Sequence, residues 1–143
     1  MKKSLVIRVS LLAFALLLNV SCASDDEKTT PVEVEMATKA FLLSLEVKDS
    51  FLTGDVKTLQ SLCSKKVYDK LVATMDDLSG WKIDFKMRWV DIDDEGTVHL
   101  YISWKRDSGR EEENIEMSGL ALFVITEDPF IVEEIMRENP FLL

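Results

Sequence analysis

Four sets of side chains in the sequence are of types that do chemistry: one histidine, a short acidic run, three tryptophans and two cysteines. His99 is the sole histidine, and general acid–base catalysis needs it within about 3 Å of a second titratable group in a shared pocket. Tyr101 follows two residues later. On a strand the two share a face but stand about 6.6 Å apart along it, which is poor geometry for a proton relay, so His99 reads as a sheet-surface residue. Asp91-x-Asp93-x-Glu95-Gly96 begins like a calcium-binding loop. A complete loop ends on a bidentate glutamate at the twelfth place, and here that place is Ile102. The acids therefore read as a solvated hairpin turn, with Gly96 at positive φ. Trp81, Trp89 and Trp104 are expected on one sheet face, where they either pack the core or line an aromatic-walled ligand recess. No phosphate-cradling glycine loop, nucleophile elbow or histidine–cysteine cluster is present. The residue types point away from catalysis, metal and cofactor, and toward binding.

Cys22 stands at a break in composition. Residues 1–8 carry three positive charges (Lys2, Lys3, Arg8), residues 9–20 are apolar but for Ser10 and Asn19, and from Ala23 the chain is small, acidic and polar. The apolar run is shorter than the roughly 20 residues that cross a bilayer, so residues 1–21 read as an export signal. Leu18-Asn19-Val20-Ser21-Cys22 resembles the lipobox of bacterial lipoproteins, with serine in the small-residue place and Asn19 where leucine is usual. The resemblance implies that the Cys22 thiol receives a diacylglyceryl group and that the chain is cut in front of it; cleavage without lipidation would instead leave a soluble protein. Ser24-Asp25-Asp26-Glu27 resembles the acidic tract that follows the lipidated cysteine in surface lipoproteins of Bacteroidetes-like bacteria. That implies an outer-membrane lipoprotein, facing outward or, without display, on the periplasmic face. Several acyl chains, at about 0.8 kcal/mol per buried CH₂, hold a domain where one binds only reversibly. Residues 22–33 then read as the lipidated cysteine and an acidic linker, with Thr29-Thr30-Pro31 disfavouring a helix through that point. With Cys22 acylated, Cys63 has no disulfide partner and reads as a buried small hydrophobe.

The 122 residues from Cys22 onward are enough for one domain. Three of the 17 basic residues precede Cys22, so this part holds 14 against 26 acids, a net of −12. That sign excludes the phosphate backbone of nucleic acid and an anionic lipid surface as partners.

The hydropathy pattern divides residues 34–143 into helices and then strands. Val34, Ala37, Phe41, Leu45 and Leu52, broadened by Leu42 and Phe51, predict a first helix that Gly54 stops. Asp55 is placed to cap a second helix running to about Leu78, with Val56, Leu59, Cys63 and Val67 on one line. Trp81, Ile83, Phe85, Met87 and Trp89 alternate with Lys82, Asp84, Lys86 and Arg88, and Val98, Leu100, Ile102 and Trp104 alternate with His99, Tyr101 and Ser103. These predict two antiparallel strands with one dry face. A third strand begins near Glu113 and is apolar on both faces from Leu120 to Ile125, which makes its far half central or covered twice. Asp128-Pro129 fits either a helix start or a hairpin closing onto a strand over residues 130–137, and the two-sided third strand favours the hairpin. Phe141 and Leu142 are expected to tuck back into the domain.

Two helices followed by three or four antiparallel strands is an α+β layer arrangement. Within it, residues 41–62, with Gly54-Asp55 between two amphipathic helices, resemble the opening of small lipoproteins with an NTF2-like (cystatin-like) domain. The resemblance implies helices packed across a strongly curved sheet, favours the strand reading of residues 130–137, and implies in some members an apolar cavity at the wide end. The expected function is a membrane-anchored, non-enzymatic module that binds a protein or a small apolar or glycan-like ligand. The alternatives are an accessory subunit of an envelope complex and, last, a small hydrolase or isomerase built on His99.

Overall fold

A computed structural model describes residues 31–143. Cys22 and the tract Ser24, Asp25, Asp26 and Glu27 lie outside the described residues. Three helices, α1 (Pro31–Thr53), α2 (Val56–Leu62) and α3 (Lys65–Thr74), precede four strands, β1 (Lys82–Ile92), β2 (Val98–Asp107), β3 (Glu116–Ile125) and β4 (Val132–Arg137). The strands form an antiparallel meander in the order β1-β2-β3-β4, so the domain is α+β.

The helices depart from expectation at three points. First, α1 begins at Pro31, three residues inside the predicted linker, because proline at a first helical position has its φ preset and no N–H to satisfy. Second, the buried stripe of α1 is Ala40, Leu43, Ser44, Val47, Ser50 and Phe51, while Val34 and Leu42 are exposed. Residues 40–47 are apolar almost all the way round, so periodicity alone did not fix which face turns inward; the small Ser44 and Ser50 let the helix approach its neighbours. The Ser44 hydroxyl satisfies itself on the Phe41 carbonyl at 2.7 Å. Third, the predicted second helix is two helices broken at Cys63-Ser64. There the chain is extended (ψ 150° and 157°), Cys63 bridges Val132, and Ser64 N–H donates to the Val132 carbonyl at 2.9 Å. The Ser64 hydroxyl accepts from Val67 N–H at 3.4 Å as the cap of α3. Backbone pairing with β4 thus outweighs two residues of helix. Gly54 (φ +74°) and the Asp55 cap on Thr58 N–H (3.1 Å) behave as predicted.

In β2 every second residue from Val98 to Arg106 is buried. These side chains meet Phe51, Leu59 and Leu71 of the helices and Phe123 and Ile125 of β3 in one core. β3 is central, and residues 130–137 belong to a hairpin, not a helix: Thr126 N–H donates to the Ile131 carbonyl (3.1 Å) across a cis Asp128–Pro129 bond, and β4 follows. Phe141 is fully buried. The sheet is open and uncurled, not strongly curved. α1 packs against β1 and β2 while α3 packs against β4, so the two edge strands are held at opposite sides of the helical layer and nothing draws them together. One sheet face is therefore covered by helices, and among the described residues no helix lies on the other, the open face.

Candidate functional site

The three tryptophans do not share a wall. Register places Ile83, Phe85 and Met87 on the helix-covered face, opposite Arg106, Trp104 and Ile102. Between Met87 and Trp89 the register shifts by the extra residue Arg88, and Trp89 pairs with Tyr101 on the open face. A bulge inverts the side-chain phase of everything beyond it. Trp89 is half exposed (50%), whereas Trp104 is buried and its indole N–H donates to the Glu138 carbonyl at 2.7 Å. Trp81 and Trp104 both lie over the guanidinium of Arg106, at 5.4 and 5.5 Å. The expected recess lined by Trp81, Trp89 and Trp104 is corrected: two rings fill space around a cation and the third faces outward.

Arg106 is 2% exposed and, among the described residues, has no carboxylate within ion-pair distance. It donates through Nη1 to the carbonyls of Pro140 (3.1 Å) and Leu142 (2.6 Å) and through Nη2 to the Met117 thioether (3.1 Å). Its Nε has no partner. Burying a lone cation is costly; the carbonyls and the two indole faces offset it, and the result is a clamp on the segment around Phe141. This is a structural role, and the sequence signal for it was weak: an arginine in phase with Leu100, Ile102 and Trp104 at the end of a strand.

The open face carries the groups left free. Across all four strands Trp89, Tyr101, Leu122 and Met136 stand in one register row. Trp89 stacks on Tyr101 with centroids 4.3 Å apart and planes at 21°, and the Arg137 guanidinium lies 5.5 Å from the Tyr101 ring. Toward the far end of β1 the same face holds a cleft of about 380 Å³ lined by Lys82, Asp84, Lys105, Asp107, Glu116 and Ser118. Arg106 and Met117 also border it, at register positions whose side chains belong to the other face. Sequence alternation marked Lys82 and Asp84 as wet but gave no register to bring three strands' worth of polar residues together.

His99 and the acidic turn form a separate small group. Asp93 Oδ1 accepts from the backbone N–H of Thr97 (2.9 Å) and Glu95 (3.0 Å), and Oδ2 lies 3.4 Å from His99 Nε2. The Thr97 N–H above all holds the Asp93 carboxyl below its ordinary pKa, against the opposing effect of burial and with help from the Glu95 N–H and His99. Tyr101 is not the neighbour of His99; Asp93 is, six residues back, because the turn folds it there. Gly96 has φ +81° as expected. Asp93 is occupied in organising the turn, and among the described residues no three of His, Cys, Asp and Glu converge to hold a metal ion. Burial pushes the Cys63 thiol up to about 12, which leaves it protonated and without nucleophilic character. Among the described residues, the open face offers hydrogen bonding and stacking.

No family model, curated protein or solved structure matches the chain. No helix among the described residues is long and apolar enough to cross a membrane.

Proposed function

We propose that the protein is a non-enzymatic binding module, held at the outer membrane through an acylated Cys22, that takes its ligand on the open face of the sheet. The lipobox-like Leu18–Cys22 stretch and the acidic tract after it support the anchor. Element order, helices and then an antiparallel meander, supports the NTF2-like reading of the fold, and the uncurled sheet favours a ligand on a face over one inside a cone. The observation that carries the binding role is the pairing, on one uncovered face, of a half-exposed, stacked Trp89 with a 380 Å³ cleft of charged side chains.

Two measurements test the reading. Mass spectrometry of the native protein should show acyl chains on Cys22, and Cys22→Ser should lose them and leave the membrane fraction; an unmodified native Cys22 refutes the anchor. Panels of oligosaccharides and of random peptides offered to the full chain should yield a ligand whose retention is lost in Trp89→Ala. A ligand indifferent to Trp89→Ala but lost in Trp81→Ala would place binding elsewhere and refute the face.

A further inference from the structure

Resting on that reading, we propose that the open face takes a neutral, polyhydroxylated chain: a linear oligosaccharide. The decisive feature is a set of opposite charges that face one another without closing. Lys82 stands opposite Asp107 and Asp84 opposite Lys105, a spacing at which cross-strand side chains of opposite sign normally pair. Neither couple is within 4.0 Å, and among the described residues Lys82, Asp84, Lys105, Glu116 and Ser118 make no side-chain hydrogen bond at all. Free donors and free acceptors therefore stand across open space. A hydroxyl group gives one hydrogen bond and takes two, so adjacent hydroxyls on a sugar ring bridge an ammonium and a carboxylate with both satisfied.

The alternatives fit worse. The cleft lining carries Lys82 and Lys105 with Asp84, Asp107 and Glu116, and the Arg106 that also borders it keeps its guanidinium against Trp81 and Trp104, so neither an anion nor a cation meets a single-signed field. An apolar ligand would desolvate five charged groups and pair none of them. An added peptide strand needs a continuous hydrogen-bonding edge, and the β1 edge is interrupted by the Arg88 bulge and lined by charged side chains.

Trp89 supplies the other half of sugar recognition. Its stacking on Tyr101 occupies one face of the indole, and half of the side chain stays exposed. A pyranose ring has an apolar C–H face that lies flat against such a surface. From Lys82 to Trp89 the strand covers roughly 20 Å, room for several sugar rings. Tyr101, with Trp89 on one side and the Arg137 guanidinium close by, holds the indole in place before any ligand arrives, which lowers the ordering cost of binding.

The test is titration calorimetry of the full chain with neutral two- to six-ring oligosaccharides of glucose, mannose, xylose and N-acetylglucosamine. At least one series should bind, more tightly as rings are added. Trp89→Ala and the exposed Lys105→Ala should each weaken it by roughly tenfold or more, as loss of a central contact does, and Trp89→Phe should keep most of it. No binding of any series at millimolar sugar overturns the proposal, as does binding indifferent to both variants. A peptide that binds and is lost in Trp89→Ala overturns the sugar class while leaving the open face as the site.

Discussion

Phe141→Ala should remove much of what closes one end of the core. The ring is fully buried and lies 4.8, 6.0 and 6.4 Å from the rings of Phe51, Phe85 and Phe123. Truncating a buried phenylalanine costs about 3–5 kcal/mol, and aromatic pairs each add roughly 0.5–1.5 kcal/mol beyond area, so the upper half of that range is expected. The backbone here is held separately. Phe141 N–H donates to Asn139 Oδ1 (2.9 Å), its carbonyl accepts from the Thr74 hydroxyl (2.7 Å), and Arg106 takes the carbonyls on either side. These survive the substitution, so the segment should stay docked over a cavity. Domains of this size have about 5–15 kcal/mol in all, and the variant should fold with a large share of that gone. Urea melts followed by tryptophan fluorescence should show a lower midpoint with an unchanged slope. Leu143→Ala, at a side chain 74% exposed, should stay within about 0.5 kcal/mol of the parent. A Phe141→Ala loss under about 1 kcal/mol would mean the ring is not part of the core and would refute the reasoning.

Other substitutions probe the sheet and the turn. A Cβ at Gly119 would come within 2.7 Å of both the Trp104 ring and Glu138 Oε2, so Gly119→Val should cost about 1–3 kcal/mol by overpacking, read in the same melts. Deleting Arg88 should remove the bulge and leave Trp89, Val90 and Ile92 on their present faces, so the midpoint should shift little; a loss of about 2–4 kcal/mol, as from turning Val90 and Ile92 to the wrong face, would mean there is no bulge. Asp93 has a folded pKa below its unfolded one, so the unfolded chain binds more protons in acid. Its contribution is present above the ordinary carboxylate value near about 4 and is lost as pH falls through the depressed value. The fall in melting temperature between about pH 6 and 3 should therefore be smaller in Asp93→Asn than in the parent, and equal falls would sink the assignment.

The first two strands were legible because each carries a two-residue period with one wet face. Val98 to Trp104 lies as alternation predicts, and so does β1 up to Met87. What failed lies beyond the reach of local pattern. Arg88 looks like any polar position in an alternating strand, and only pairing with β2 shows that it is the extra residue that turns Trp89 outward. The break at Cys63-Ser64 depends on a bond to Val132, far along the chain. α1 is apolar on too many sides to declare its inner face, and the choice was made by what it packs on. The candidate site fared likewise: the tryptophans and the charged strand residues were visible one by one, while the face that joins Trp89 to Lys105 and Glu116 exists only in the register of three strands.

The extra residue in β1 has a second consequence, for how neighbouring molecules meet. A strand at the rim of an open sheet, carrying an indole in water, would ordinarily invite a second molecule to zip alongside it. Here the kink spoils the match of N–H to C=O over that length, and Lys82, Asp84, Lys86 and Arg88 force any approaching copy to strip four charges of water. The ring can thus stay out in solvent without the molecules growing into ribbons.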